Sequence, residues 1–147
     1  VLIPRVNRGL PDKVFAIVRN FTSATILDGI VLRWATSADV LSGYTRIPGV
    51  DVAVGTAAVL SAAGISAVAN TITGHISGEY GLCQVYGYHS NVSSSGATDA
   101  VGVTYIAGAA GVVNPAGAAA DDPSARLGVC ITTGVGSRSG VIIKCMG

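Results

Sequence analysis

At 147 residues the chain has the length of one domain, and it is poor in charge: 12% of residues are Asp, Glu, Lys or Arg, about half the globular norm of roughly 25%, against 50% apolar residues and 20 glycines. The net charge of +1 comes from scattered cations and anions, so no basic stripe is present for a nucleic-acid backbone to follow and no acidic tail to solvate. A surface so thinly charged suits a chain that lives inside an assembly.

Residues 1–12, VLIPRVNRGLPD, carry Pro4 and Pro11 on either side of Arg5 and Arg8 and offer no partner strand of their own. They are expected to be an extended segment, either a first edge strand or an arm that docks on a neighbouring subunit with Arg5 and Arg8 against its carboxylates. No apolar run follows the two arginines, so a secretory signal is not expected. From residue 13 to 147 one β domain is predicted.

KVFAIVRNFT, residues 13–22, alternates Val14, Ala16 and Val18 on one face with Phe15 and Ile17 on the other, the period of a strand. TILDGIVLRWAT, residues 25–36, places Asp28-Gly29 between apolar runs, the signal of a hairpin or bulge. VDVAVGTAAVLSAAG, residues 50–64, alternates and then becomes Ala-rich, so a helix competes with a strand there. Residues 52–78 are uncharged and long enough to span a bilayer, but they hold Asn70 and His75, one Leu, no aromatic and no basic flank, which argues against a transmembrane helix.

GLCQVYGYHS, residues 81–90, alternates Cys83, Val85, Gly87 and His89 with Leu82, Gln84, Tyr86, Tyr88 and Ser90. The first set reads as core contacts. Gln84, Tyr86 and Tyr88 form a row with polar tips on large bodies, suited to a neighbouring strand or subunit. VSSSGATD (92–99) and NPAGAAADDPS (114–124) are loops by composition.

Gly at short intervals, and no helix start followed by a 3.6 period, make the chain all-β: a small Gly-rich β-barrel or β-sandwich, a β-tulip-like arrangement included, with little helix. An internal echo suggests two related β units in tandem. Residues 66–87 and 124–147 each open with Ser-Ala and pass an apolar segment around Ile72 or Ile131. Each then turns at a Gly/Ser stretch ending in Gly81 or Gly140 before a final strand. Upstream, LDGIVLRW (27–34) and AVGVTYI (100–106) both place Gly before an alternating run.

Catalytic and metal chemistry finds little footing. His75 and His89 lie fourteen residues apart with Cys83 between them, and His89 and Cys83 would be about 20 Å apart along a strand, too far to share an ion. Ser90 beside His89 resembles a nucleophile and base, but neighbouring strand residues point to opposite faces, no G-x-S-x-G is present and Glu79 is the one glutamate. Asp28, Asp51 and Asp99 sit in turn-like contexts, and Asp121-Asp122 lacks the spacing of a calcium loop. Gly134 and Gly136 give a G-x-G without the strand and helix of a phosphate cradle. Cys83, Cys130 and Cys145 contain no C-x-x-C; three reduced thiols on strands are the simplest reading, with a disulfide as the alternative. The sequons at Asn20 and Asn91 matter only in a secreted eukaryotic protein.

RNFTSATILDGIVLRW, GEYGLCQVYGYHS and ARLGVCITTGVGSRSGVIIKCM occur in that order. Within them stand N-x-T-S-x-T-x-x-x-G-x-x-x-x-W (Asn20, Thr22, Ser23, Thr25, Gly29, Trp34) and G-x-Y-G-L-x-Q-V-Y-G-Y (Gly78 through Tyr88). From about Val14 to Cys145 the chain resembles the head decoration, or capsid cement, proteins of tailed bacteriophages. It departs from the best-known of them in lacking a long N-terminal arm.

The resemblance implies a virion protein made in the host cytoplasm that binds the outer surface of an icosahedral capsid and stabilises it against the pressure of packaged DNA. Its partners would be the major capsid protein and copies of itself in a homotrimer. No enzymatic activity, cofactor, metal, small-molecule substrate, nucleic acid or membrane is expected. The candidate interface residues are Arg5, Arg8, Gln84, Tyr86 and Tyr88. The alternatives are a trimeric phage tail, fibre or host-surface-binding module, and a small hydrolase or lyase on a β scaffold.

Overall fold

The alternation read in the sequence becomes strands nearly everywhere that the computed structural model describes the chain, which is at residues 2–5, 13–35, 49–52, 62–68, 74–96, 100–116, 126–134 and 136–145. The strands are β1 (Leu2–Arg5), β2 (Lys13–Asn20), β3 (Val31–Trp34), β4 (Gly49–Val52) and β5 (Ala62–Ala67), then β6 (Tyr80–Ser93), β7 (Thr104–Ala107), β8 (Val113–Pro115), β9 (Arg126–Thr133) and β10 (Arg138–Lys144). A single 3-10 turn at Ala109–Gly111 is the helical content of the described residues. The fold is all-β and barrel-like, as expected.

Two circuits of pairing organise it. β2 pairs with β6 and, in parallel, with β4; β4 pairs with β3, β3 with β5, and β5 with β6, which closes a ring of five strands. The second circuit runs from β6 to β10, β9, β7 and β8 and returns to the end of β6 through a parallel bridge between Ser94 and Val113. β6 has fourteen residues and belongs to both. Its first half closes the first ring and its second half opens the next.

The rings repeat each other in register. Leu32, Arg33 and Trp34 face Val52, Asp51 and Val50, while Tyr105, Ile106 and Ala107 face Pro115, Asn114 and Val113. The β3–β5 ladder slips after Leu32 and the β7–β9 ladder slips after Tyr105, the matching place. Gly29 N–H donates to Ser66 O at 3.0 Å and Ser66 N–H to Ile30 O at 2.8 Å. In the second ring Gly102 N–H donates to Cys130 O at 2.8 Å and Cys130 N–H to Val103 O at 2.9 Å. The tandem units are thus a structural repeat, although the sequence echo misaligns its start: Ser66 corresponds to Cys130, not to Ser124. A gap in the longer loop before β6 absorbs the difference.

Each ring encloses its own core from matching positions. Val18, Leu32, Val50, Ala63, Cys83 and Val85 fill the first; Val92, Tyr105, Val113, Leu127, Val141 and Ile143 fill the second. Val31, Ala62 and Ile65, on the back of β3 and β5, join the second cluster, so these two strands are covered on both faces. One residue extra at the β3–β5 slip is what brings Ala62 to the side of Ile65.

Of the two readings of the first segment, the described residues take the edge strand, although with a partner the sequence did not offer: Leu2 to Arg5 pair antiparallel with Ala16 to Lys13, on the stretch of the β2 edge that β4, at Arg19 and Asn20, leaves free. Two expectations change. Asp28-Gly29 does form a turn, with Gly29 at φ 77, but it joins no hairpin. Ile26 bridges to His75, and β3 takes β4 and β5 as neighbours, because Gly29 lies against the Asn91 carbonyl and carries the turn onto β6. The 114–124 loop is cut short by β8, which takes Asn114 and Pro115 into the sheet. Of the stretch 50–64, both ends are strand; residues 53–61 lie outside the described residues, as does much of the 52–78 span. Among the described residues no helix is long and apolar enough to cross a membrane.

Gly64 and Gly128 occupy the same place in the two rings, and a side chain on either would run into a backbone carbonyl, that of Gln84 or of Ile142. Gly64→Ala and Gly128→Ala are therefore each expected to cost about 2–4 kcal/mol in urea unfolding, since backbone must shift to admit the methyl. Gly102→Ala, at φ 87 but with open space around it, should cost only about 1 kcal/mol.

Candidate functional site

The polar side chains that promised chemistry are tied to one another. Where the turn before β3 crosses the second half of β6, Asp28, His89, Asn91 and Arg138 meet. His89, buried at 7% exposure, accepts the Asn91 N–H at Nδ1 over 3.2 Å and places Nε2 3.5 Å from Asp28 Oδ1. The Val68 N–H donates to Asp28 Oδ1 at 3.0 Å and Asn91 Nδ2 to Oδ2 at 3.2 Å. Arg138 Nη1 donates to the backbone carbonyls of Asp28 and Asn91 at 3.1 and 3.2 Å. Burial by itself would push the Asp28 carboxyl up, but His89, the Val68 amide and Asn91 outweigh it and lower it to about 2.

This arrangement uses both imidazole nitrogens of His89, so none is left to activate Ser90, which is exposed on the opposite face. The group acts as a latch between the rings. The motif residues Asn20 and Thr22 are likewise structural: Asn20, 2% exposed, donates through Nδ2 to Ala24 O and His75 O at 2.9 and 2.8 Å and accepts both the Thr22 N–H and its hydroxyl at 2.8 Å. His75 sits on the Ile26 bridge beside Gly81, where burial lowers its pKa and a bond with the Leu82 backbone partly opposes that. Among the described residues no three His, Cys, Asp or Glu side chains stand together as a metal site. Asp99, Asp121 and Asp122 lie outside the described residues.

All three cysteines are free thiols. Burial, with Cys145 nearby, pushes Cys83 far up, and burial pushes Cys145 up to about 12. Neither is poised as a nucleophile at neutral pH.

The outward-facing residues form a more coherent feature. Tyr88 pairs with Ile142, Ile142 with Val129, and Val129 with Thr104, a straight row across β6, β10, β9 and β7. Directly paired residues share a face. Tyr86 pairs with Lys144 one step along. Val129 and Ile131 are 37% and 38% exposed; Tyr86, Tyr88, Ile142 and Thr104 are half-buried, and Lys144 and Arg126 are exposed at the rim. Tyr88 lies over Gly140, whose missing side chain makes room for the ring, and its hydroxyl reaches Thr132 Oγ1 at 3.4 Å.

The first ring carries the same row: Phe15, Gln84, Ile65 and Val31 pair in the same sequence of strands. There Gln84, Ile65 and Val31 are at most 1% exposed. Gln84 is therefore a correction to the expected interface: it is enclosed where the second ring covers the first, and its Nε2 donates to Tyr86 O at 3.2 Å. Tyr86 and Tyr88 are at the surface of the second ring, past the β6 irregularity at Val14/Phe15. Arg5 lies on β1, and Arg8 lies outside the described residues. Ile142, Val129 and Thr104 were missed in the sequence. Their signal was the repeat itself, once β9 is set against β5 and β10 against the first half of β6.

No family model matches the chain, and no curated protein is significantly similar to it.

Two outcomes follow. Because the folded-state pKa of Asp28 is depressed, its stabilisation is present above the ordinary value of 3.8 and is lost as pH falls through about 2. With a third of the Asp28 side chain exposed the effect is discounted to about 1–2 kcal/mol, so wild type should lose that much more stability than Asp28→Asn between about pH 5 and 2 in acid titration followed by circular dichroism. In the native state at pH 8, Cys83 should resist iodoacetamide by mass spectrometry, and react once the chain is unfolded.

Proposed function

We propose that this chain is a structural virion protein that decorates the outer surface of an icosahedral bacteriophage head, made in the host cytoplasm, with the major capsid protein and further copies of itself as partners. The observation that carries the reading is the outward display of apolar side chains by a chain with little charge: Leu27, Ile76, Tyr80 and Val101 are 54%, 51%, 55% and 66% exposed. Such surface is costly in water and favourable when a neighbour covers it.

The segments that carry the resemblance to cement proteins lie where the scaffold is held. Asn20 and Thr22 close a corner of the first ring, and Gly78 through Tyr88 build the turn before β6 and most of the strand both rings use. These are positions that hold a scaffold together. A rigid body that bridges shell subunits raises the free energy needed to separate them, and so offsets the outward pressure of DNA.

Electron microscopy of purified particles should show density on the head lattice, and heads lacking the protein should release DNA at a lower temperature. Density confined to the tail would instead support the fibre or host-binding role. An unchanged release temperature would count against cementing.

A further inference from the structure

One corner of the first ring is closed around a histidine that is not fully satisfied. Ile26 N–H donates to His75 O at 3.0 Å and His75 N–H to Ile26 O at 2.8 Å, so the two residues hold each other through both backbone groups. Asn20 Nδ2 donates to the same His75 carbonyl at 2.8 Å. Further along the turn, Gly78 N–H donates to Asn20 O at 2.8 Å and the Ser77 hydroxyl to Thr22 O. The turn at 74–79 is thus fastened to residues 20–26 at several points, with His75 in the middle.

The His75 imidazole lies over Gly81 with Nδ1 nearest to it, and any side chain on residue 81 would collide with the ring. A bond with the Leu82 backbone engages the ring there. Nε2 is buried and has no hydrogen-bond partner among the described residues. His89 differs, because both of its nitrogens are engaged. A neutral imidazole can leave one lone pair unused, but a proton added at His75 Nε2 would be a charged donor in a buried place with nothing to receive it. Water can reach that nitrogen only if the ring leaves its seat.

The charges around it do not remove this conflict. Asp28, in the turn before β3, favours the proton, and burial, the larger effect, outweighs it. Arg19 on β2, bonded to Gly78 O at 2.7 Å, and Glu79, exposed at the end of the turn, are the other charged groups on the segments packed here. Tyr80 and Cys83 are the titratable groups at the start of β6, and burial keeps the Cys83 thiol protonated.

We propose that the Ile26–His75 corner is an acid-sensitive clasp: when the buried Nε2 of His75 takes a proton, the turn at 74–79 comes away from residues 20–26 and the corner of the first ring opens. Because the closed corner favours the neutral ring, closure is fully favourable above the ordinary histidine value of 6.5 and weakens as pH falls below it. The clasp goes beyond the capsid reading and does not depend on it.

Nuclear magnetic resonance of the full chain tests it. Amide exchange at Ile26 and His75, corrected for the intrinsic effect of pH, should lose about tenfold protection between about pH 7.5 and 5, while the β6–β10 ladder keeps its own. The His75 ring should titrate below 6.5. His75→Gln should make protection at Ile26 independent of pH over that range, and His89→Gln should leave the dependence in place. Protection at Ile26 that is flat with pH in wild type overturns the proposal, as does a loss shared by the β6–β10 ladder, a His75 ring that titrates at or above 6.5, or a pH dependence that survives His75→Gln. Should His75→Gln fail to fold, the ring titration and the exchange pattern of wild type decide by themselves.

Discussion

The backbone of β6 is the constraint on which the rest of the structure depends. Its fourteen residues bond to β2 and β5 in the first half and to β10 in the second, so the ladders that close the first ring and open the second share the register of one strand. A slip of one residue in β6 would turn Cys83 and Val85 out of the first core and Tyr86 and Tyr88 off the surface together. Irregular pairing at Val14/Phe15 and at Ser139/Val141 lets the strand serve two curvatures without breaking. Gly64 and Gly128 give the neighbouring strands the close approach to β6 and β10 that this curvature demands.

Sharing a strand also makes the molecule unequal. Were the rings separate, their outer rows would have the same exposure. Because β6 runs from one into the other, the second ring is held over the back of β3 and β5, and Gln84, a polar residue, is shut in with its amide bonded to Tyr86 O. Matching positions in the second ring carry Ile142, Val129 and Thr104 at the surface. The residues follow that difference only in part: Val31 is matched by Thr104 and Ala62 by Arg126, yet Ile65 is matched by Val129 and Gln84 by the more apolar Ile142.

The polar side chains are used for holding, not for display. Asp28, His89, Asn91 and Arg138 tie the turn before β3 to both halves of the molecule, and Asn20 with Thr22 ties the end of β2 to the His75 bridge. Each group satisfies a partly buried backbone amide or carbonyl where a loop crosses the barrel. This accounts for how so few charges suffice, and it leaves the surface to side chains that gain by contact.

How much of this was legible varies with the range of the interactions. Alternation in KVFAIVRN and in GLCQVYGYHS identified strands and, for Ala16, Val18, Cys83 and Val85, the buried face, because the side-chain period is a property of the local backbone. Gly29 and Gly102 before alternating runs marked the repeat for the same reason, and Ser23-Ala24-Thr25 against Gly96-Ala97-Thr98 would have extended it. The sequence by itself determined the strand class, the turn positions and the tandem plan. Only the tertiary structure decided that one strand serves both rings, that Gln84 is enclosed while Tyr88 is not, and that Asp28 meets His89 from sixty-one positions away; burial depends on which strands lie across a face, and hydrogen bonding between distant segments leaves no period in the chain.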